Sequence, residues 1–301
     1  MSVSIFCARK NKTQLTIAFS DEVFYYVINF VIIKGEIMGC IEELKDIKCF
    51  IVDMDGTFYL GDSLLPGAKE FSECVEKSGK KFFFFTNNSS HNEEECLYKL
   101  RKYGYDADEG SVIISSHVTI DFLKRNRPGK KVYLVGNDNL TGDFVKAGIE
   151  LTDADPDIVV VGFDTQLTYE KLNKAANFIA GGAEYIATHP DVNCPLKDGF
   201  MPDVGAFISL LKSSTGREPD LIMGKPYAFT VDYVTNRIGC KREEIAFVGD
   251  RLETDIAIGV KNGLKAVLVY TGVTTPEMYE KSEIKATVAF ENIGELGKAL
   301  I

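Results

Sequence analysis

Three hundred and one residues are comfortable for two compact domains and long for one. Apolar residues at 45% and charged residues at 26% give the balance of an ordinary globular chain, which excludes wholesale disorder. Forty-four acids against 34 Lys and Arg leave a formal charge of -10, which argues against nucleic acid or an anionic membrane as partner, since either wants a clustered basic footprint. An anionic ligand would therefore need a local reversal of the field.

The first 37 residues stand outside the pattern of the rest. The apolar run Val23 to Ile33 contains Asn29 and is about half the ~20 residues that a membrane helix needs. Asp21 and Glu22 interrupt any secretory signal, and no small-residue cleavage site follows. A cytoplasmic location is the expectation. With Met38 shortly before the first strand, this segment reads as an appendage or an upstream start, and residues 1–39 are set aside as an N-terminal extension.

From Ile47 onward one theme repeats: a short apolar run, a turn, then a helical pattern closed by Gly. The runs are Phe50-Val52, Lys81-Phe85, Val112-Ile114, Val132-Val135, Ile158-Val161, Tyr185-Ala187, Leu221-Met223, Ile245-Val248 and Ala266-Val269. Nearly continuous hydrophobicity over so few residues suits strands buried on both faces. Helices are expected at Ala68-Ser78, Glu93-Tyr103, Tyr169-Ala180, Phe229-Ile238 and Glu253-Asn262, each followed by Gly in the role of a left-handed stop. Regular alternation of this kind means βαβ units and a mostly parallel sheet, an α/β fold. The seven Cys, at 7, 40, 49, 74, 96, 194 and 240, have no C-x-x-C spacing and read as reduced, mostly buried thiols. Cys194 has no basic neighbour in sequence to activate it.

Polar residues at the carboxyl ends of these strands mark where such sheets place their sites. Phe50-Val52 runs into Asp53-Met54-Asp55-Gly56-Thr57, and Lys81-Phe85 into Thr86-Asn87-Asn88-Ser89. Ile245-Val248 leads to Gly249-Asp250, with Asp255 five residues on, and Leu221-Met223 delivers Gly224-Lys225-Pro226. Parallel strands bring their carboxyl ends to one edge, so the four clusters are expected to converge. In an extended segment Asp53 and Asp55 face the same way, and two carboxylates so close are costly unless a cation intervenes. Hard oxygen ligands with room for water suit Mg²⁺, and Asp250 completes the set. Lys225 adds a second positive charge, which answers the question of field.

A carboxylate in such a site can attack phosphorus, and a second carboxyl two residues away can protonate the leaving oxygen. The Thr86 hydroxyl and Lys225 would hold the non-bridging oxygens. Alone, each piece has a plainer reading. D-x-D-G could open a calcium loop, but the sixth and twelfth positions, Phe58 and Leu64, are wrong for one. Thr86 could cap a turn, Lys225 could be solvated, and Asp250 with Asp255 could charge a helix start. Their shared position at strand ends favours the site.

The order D-x-D-G-T, strand-Thr, G-K and G-D-x-x-x-x-D resembles the four motifs of the haloacid dehalogenase superfamily of phosphohydrolases. T-N-N-S-S at 86–90, V-G-F-D at 161–164, A-T-H-P-D at 187–191, G-K-P at 224–226 and G-D-R-L-x-T-D at 249–255 resemble its NagD-like, p-nitrophenyl-phosphatase-type members. The resemblance spans residues 45–301. It implies a three-layer Rossmannoid core, residues 40–130 and 222–301, with an inserted α/β cap of the C2 type at residues 131–221. It also makes Asp53 the nucleophile and Asp55 the general acid/base. Thr86 and Lys225 become the phosphoryl-binding pair, with Asn87 beside them, and Mg²⁺ sits on Asp53, the Asp55 carbonyl and Asp250, supported by Asp255. Specificity would lie on the cap segment His189 to Asp203. His189 is a candidate substrate contact there, though His before Pro-Asp is also a common structural hydrogen-bonder, and His91 and His117 read as surface or helix-start residues.

The implied activity is Mg²⁺-dependent hydrolysis of small organic phosphate monoesters, with a small phosphorylated metabolite as partner and a homodimer left open. Two alternatives stay open. One is a phosphotransferase or phosphomutase using the same aspartyl-phosphate. The other is a receiver-like phospho-binding module, against which Asp55, the length and the cap all argue.

Overall fold

The computed structural model describes residues 42–196 and 199–301, so the proposed extension at 1–39 lies outside the described residues. In chain order the strands are β1 (Cys49–Asp53), β2 (Tyr59–Leu60), β3 (Ser63–Leu64), β4 (Lys81–Thr86), β5 (Val112–Ile114), β6 (Val132–Val135), β7 (Ile158–Val161), β8 (Glu184–Ala187), β9 (Asn193–Leu196), β10 (Gly199–Pro202), β11 (Leu221–Ile222), β12 (Ile245–Gly249), β13 (Lys265–Val269) and β14 (Val288–Phe290). A six-stranded sheet takes the order β14-β13-β12-β1-β4-β5, and a four-stranded sheet the order β11-β8-β7-β6. The α/β class expected from the strand and helix rhythm is what the chain adopts.

The chain forms two compact units. The first holds residues 42–60, 64–82 and 240–301. Here β1 pairs in parallel with β12, β12 with β13 and β13 with β14. Strand β1 shows why a continuous apolar run signals this arrangement: Cys49 to Val52 are all at most 1% exposed, so both faces are covered. Phe71, on the helix Ala68–Lys77, meets Phe50 and Phe82 edge to face at 6.2 and 5.4 Å. Aromatic pairs of this kind add about 0.5–1.5 kcal/mol each beyond the area they bury. That helix packs on Ile293–Ala299, where a side chain at Gly297 would stand 2.9 Å from the Phe71 Cα. The glycine lets the two backbones touch.

The second unit holds residues 61–63 and 83–239. Strands β6, β7, β8 and β11 pair in parallel, and β4 with β5 likewise. Tyr133, Val135, Val159, Val161, Ile179 and Leu211 belong to its buried core. Helix starts follow capping chemistry: Asn92, Asn137 and Thr168 each accept the backbone N–H three residues on, a contact worth about 1 kcal/mol. An antiparallel ribbon, β9 with β10, precedes the helix Val204–Thr215.

Three expectations are refined. Leu221–Ile222 joins the edge of the four-stranded sheet through β8, so Lys225 follows a strand of that sheet and not of the six-stranded one. Gly181 keeps helical backbone angles, and its neighbour Gly182 (φ 100°) takes the left-handed position, because the bonds from Gly182 N–H to Ile179 O and Ala183 N–H to Phe178 O place the reversal one residue later. The helix expected over 253–262 opens as a π-turn, Leu252–Ile256, before the α-helix Ala257–Asn262. Turns of that type concentrate at functional sites. Among the described residues no helix is long and apolar enough to cross a membrane.

Candidate active site

In the first unit the site grows from two neighbouring strand ends. The register pairs Val52 with Val248, so β1 and β12 leave the sheet side by side, one at Asp53 and the other at Gly249-Asp250. The π-turn then brings Asp255 back toward them. Asp53, Asp250 and Asp255 each offer a carboxylate oxygen within 4.8 Å of the others, and Asp250 and Asp255 are only 1% exposed. Three carboxylates so close, two of them buried and Asp53 partly so, repel strongly without a cation. The donor set is all oxygen, which fits a hard divalent ion.

The surrounding backbone is cut to these side chains. A Cβ on Gly56 (φ 84°) would fall 2.6 Å from Asp250 Oδ2. Added side chains at Gly272 and Gly249 would strike Asp250 and Asp255 respectively. Val273 N–H donates to Asp250 Oδ2 at 2.6 Å, and Arg251 N–H to Asp255 Oδ2 at 3.1 Å. Thr271 Oγ1 donates to Gly56 O at 2.6 Å, tying the turn after β13 to the turn after β1. Asp55 Oδ2 accepts the Tyr59 hydroxyl at 2.9 Å, which orients that carboxyl. Tyr59 and the segment Thr271 to Val273 escape the sequence reading. The latter has a signal, since Thr271-Gly272 closely follows a buried strand just as Asp53 ends one.

The remaining candidates lie in the second unit. Thr86 ends β4, 9% exposed, and its Oγ1 accepts Asn88 N–H at 3.1 Å. Lys225 is 2% exposed, with its ammonium 5.2 Å from the centre of the Phe85 ring and donating to Phe85 O at 3.4 Å. A buried ammonium needs such partners to remain charged. Asn87 joins Lys225 directly: Lys225 N–H donates to Asn87 Oδ1 at 2.9 Å, and Asn87 Nδ2 donates to Lys225 O at 3.1 Å. His189 is fully buried, with Nε2 2.9 Å from Asp203 Oδ1 and Nδ1 2.9 Å from Thr188 Oγ1. Both ring nitrogens are thus engaged by protein groups. Asp191 and Asp203 enter this network although the motif reading singles out neither for a role. Cys194 is half-buried, with Asn88 Nδ2 3.7 Å from its sulfur. Burial, together with Cys240, pushes the Cys49 thiol up to about 12, consistent with an inert thiol.

A cleft of about 600 Å³ in the same unit contains two shifted groups, His117 and Asp143, with Lys146 and Tyr233 beside them. Burial and the nearby Arg237 lower His117 to about 4. Its Nδ1 accepts Ile114 N–H at 3.4 Å, a bond only the neutral ring can accept. Burial raises Asp143 to about 6 against the pull of Lys146. The two oppose each other. Between pH 6.5 and 4 the unfolded chain protonates a histidine that the fold keeps neutral, so acid weakens the fold through His117. Between pH 6 and 3.8 the fold holds a proton on Asp143 that the unfolded chain has lost, so acid strengthens it through Asp143. From about pH 6.5 to about 4.5 the melting temperature of Asp143→Asn should fall further than that of the wild type, and that of His117→Asn less far. Parallel melting profiles would contradict both assignments.

Comparison with known proteins agrees with this geometry. A family profile described as haloacid dehalogenase-like hydrolase matches residues 50–150, and one described as HAD-hydrolase-like matches residues 222–296. The acid sugar phosphatase of Staphylococcus aureus (strain MRSA252) is 36% identical over 253 residues, covering 84% of this chain and 97% of the relative. The crystal structure of 4-nitrophenylphosphatase from Thermotoga maritima superimposes with a TM-score of 0.84 at 45% identity, covering 86% of this chain and 99% of that one. NagD from E. coli K-12 gives 0.77 at 32% identity, covering 83% and 98%. With the DxD turn, the buried lysine and the carboxylate cluster all in the matched segments, the chain belongs to the haloacid dehalogenase-like hydrolases, among their NagD-like phosphatases.

Proposed function

We propose that this phosphatase hydrolyses small organic phosphate monoesters, sugar phosphates among them, through a phosphoryl group carried on Asp53. The observation that supports this most is the Asp53, Asp250 and Asp255 cluster at two adjacent strand ends. An Asp53 oxygen attacks phosphorus, the bond to the leaving oxygen breaks, and that oxygen takes its electron pair and a proton from the Asp55 carboxyl. Water then gives a proton to the Asp55 carboxylate as it attacks phosphorus, the bond to Asp53 breaks, and inorganic phosphate is released. Tyr59, bonded to Asp55, orients the acid in both steps. Thr86 and Lys225 hold the phosphoryl oxygens as their charge shifts.

Mg²⁺ held by Asp53, Asp250, Asp255 and the Asp55 carbonyl would supply positive charge against the approach of one anion to another. Residues 131–221 form the cap in this reading, supported by the separate sheet that β6, β7, β8 and β11 make. The acid sugar phosphatase relative points to sugar phosphates as the first substrates to try. A phosphate-release screen of the purified protein over sugar phosphates, nucleotides, phosphoglycolate and pyridoxal phosphate, with Mg²⁺, tests the proposal. Release of free phosphate from at least one monoester is expected. Transfer of the group to a second hydroxyl without free phosphate would overturn it in favour of a phosphotransferase.

A further inference from the structure

We propose that Asn87 is a positioning residue: its side-chain amide clamps the backbone of Lys225 and ties it to Asp191, and so sets where the lysine ammonium stands. This rests on the reading of Lys225 as a phosphoryl ligand.

The amide of Asn87 pairs with both backbone polar groups of one residue, accepting from Lys225 N–H and donating to Lys225 O. Nδ2 also donates to the Asp191 carboxylate, at 3.2 and 3.3 Å to its two oxygens. The amide orientation is fixed by this pattern, because the reverse would set an NH₂ against Lys225 N–H and an oxygen against Asp191. The Asn87 carbonyl is held as well, by Ser115 Oγ at 2.6 Å. Room for the clamp comes from Gly224 (φ 70°), where a Cβ would lie 2.7 Å from Asn87 Oδ1. Asn87 is 5% exposed. A side chain so fully used inside the protein acts on the substrate through Lys225 and not by its own contact. The clamp also joins T-N-N at 86–88, G-K-P at 224–226 and the T-H-P-D turn, three motifs distant in sequence. A shift of about 1 Å in a group that holds the reacting phosphoryl can cost ~100-fold in rate.

Asn87→Asp keeps an oxygen for Lys225 N–H but replaces both donors with an acceptor, facing Lys225 O and the Asp191 carboxylate. At neutral pH its kcat/KM for p-nitrophenyl phosphate should fall by ~100-fold. Asp191→Asn returns a donor on the other side, so Asn87→Asp combined with Asp191→Asn should recover ~10-fold over Asn87→Asp alone, a coupling that two independent sites do not show. Amide hydrogen exchange at Lys225 gives a second readout, independent of turnover. It should be slow in the wild type, faster in Asn87→Asp, where repulsion from the facing Asp191 carboxylate and Lys225 O pushes the side-chain oxygen off Lys225 N–H, and slow again in the double variant, with all three melting cooperatively. Unchanged exchange at Lys225, or a double variant no better than the product of the singles, overturns the clamp. A wild type without turnover but with this exchange pattern would strike the functional reading and leave the clamp standing.

Discussion

Asp53→Asn should remove turnover of p-nitrophenyl phosphate, by ~10⁴-fold or more, while the protein should still melt cooperatively. The amide is close to the carboxylate in size but cannot carry its charge to phosphorus, so on the proposed mechanism the expected loss is one of nucleophile and not of fold. The variant also relieves repulsion among the clustered carboxylates, since two charges remain where there were three. It should therefore melt at or above the wild-type temperature in the presence of chelator. Retained turnover would refute the nucleophile. Lost turnover with a collapsed melting transition would show that Asp53 is structural.

The second large effect is that of metal removal. Excess chelator should abolish hydrolysis, and Mg²⁺ should restore it. A readout besides activity comes from the same geometry, since Asp250 and Asp255 are 1% exposed and share a 4.8 Å cluster with Asp53. A cation that binds the folded cluster stabilises it by mass action, by about 2.7 kcal/mol at a hundredfold excess over Kd. Titration with Mg²⁺ should raise the melting temperature of the wild type, and do so much less for Asp250→Asn. Equal shifts in the two proteins, or hydrolysis that persists in chelator, would contradict the assignment.

The parts of the fold legible in the sequence are those where one physical demand acts alone. Strand β7 is an example: Ile158–Val161 is buried on both faces, and its four consecutive apolar, β-branched residues signal that burial directly. Asp53 and Asp250 are legible because an acid ending a buried strand has no packing reason to be there. The helix Val204–Thr215 is not, because V-G-A-F-I-S-L-L is apolar with little of the helical period to separate it from a buried strand. Strand β9, N-C-P-L, is short, largely exposed and contains Pro, which argues against a strand except at an edge or ribbon. The Asn87 clamp is out of reach for a different reason. It depends on the register that sets Leu221 beside Ile186, carrying Lys225 past Thr188 and His189, and no local pattern encodes that pairing.

The most direct measurement is a rapid-quench experiment on Asp55→Asn with p-nitrophenyl phosphate. Nitrophenolate is a stable anion that leaves without a proton, so on the proposed mechanism the first step should survive, whereas the second should lack its base. The prediction is a burst of one nitrophenolate per enzyme, with the phosphoryl group recovered by mass spectrometry on the peptide containing Asp53. No burst and no phosphorylated aspartate, in a variant that still turns over steadily, would contradict covalent transfer to Asp53.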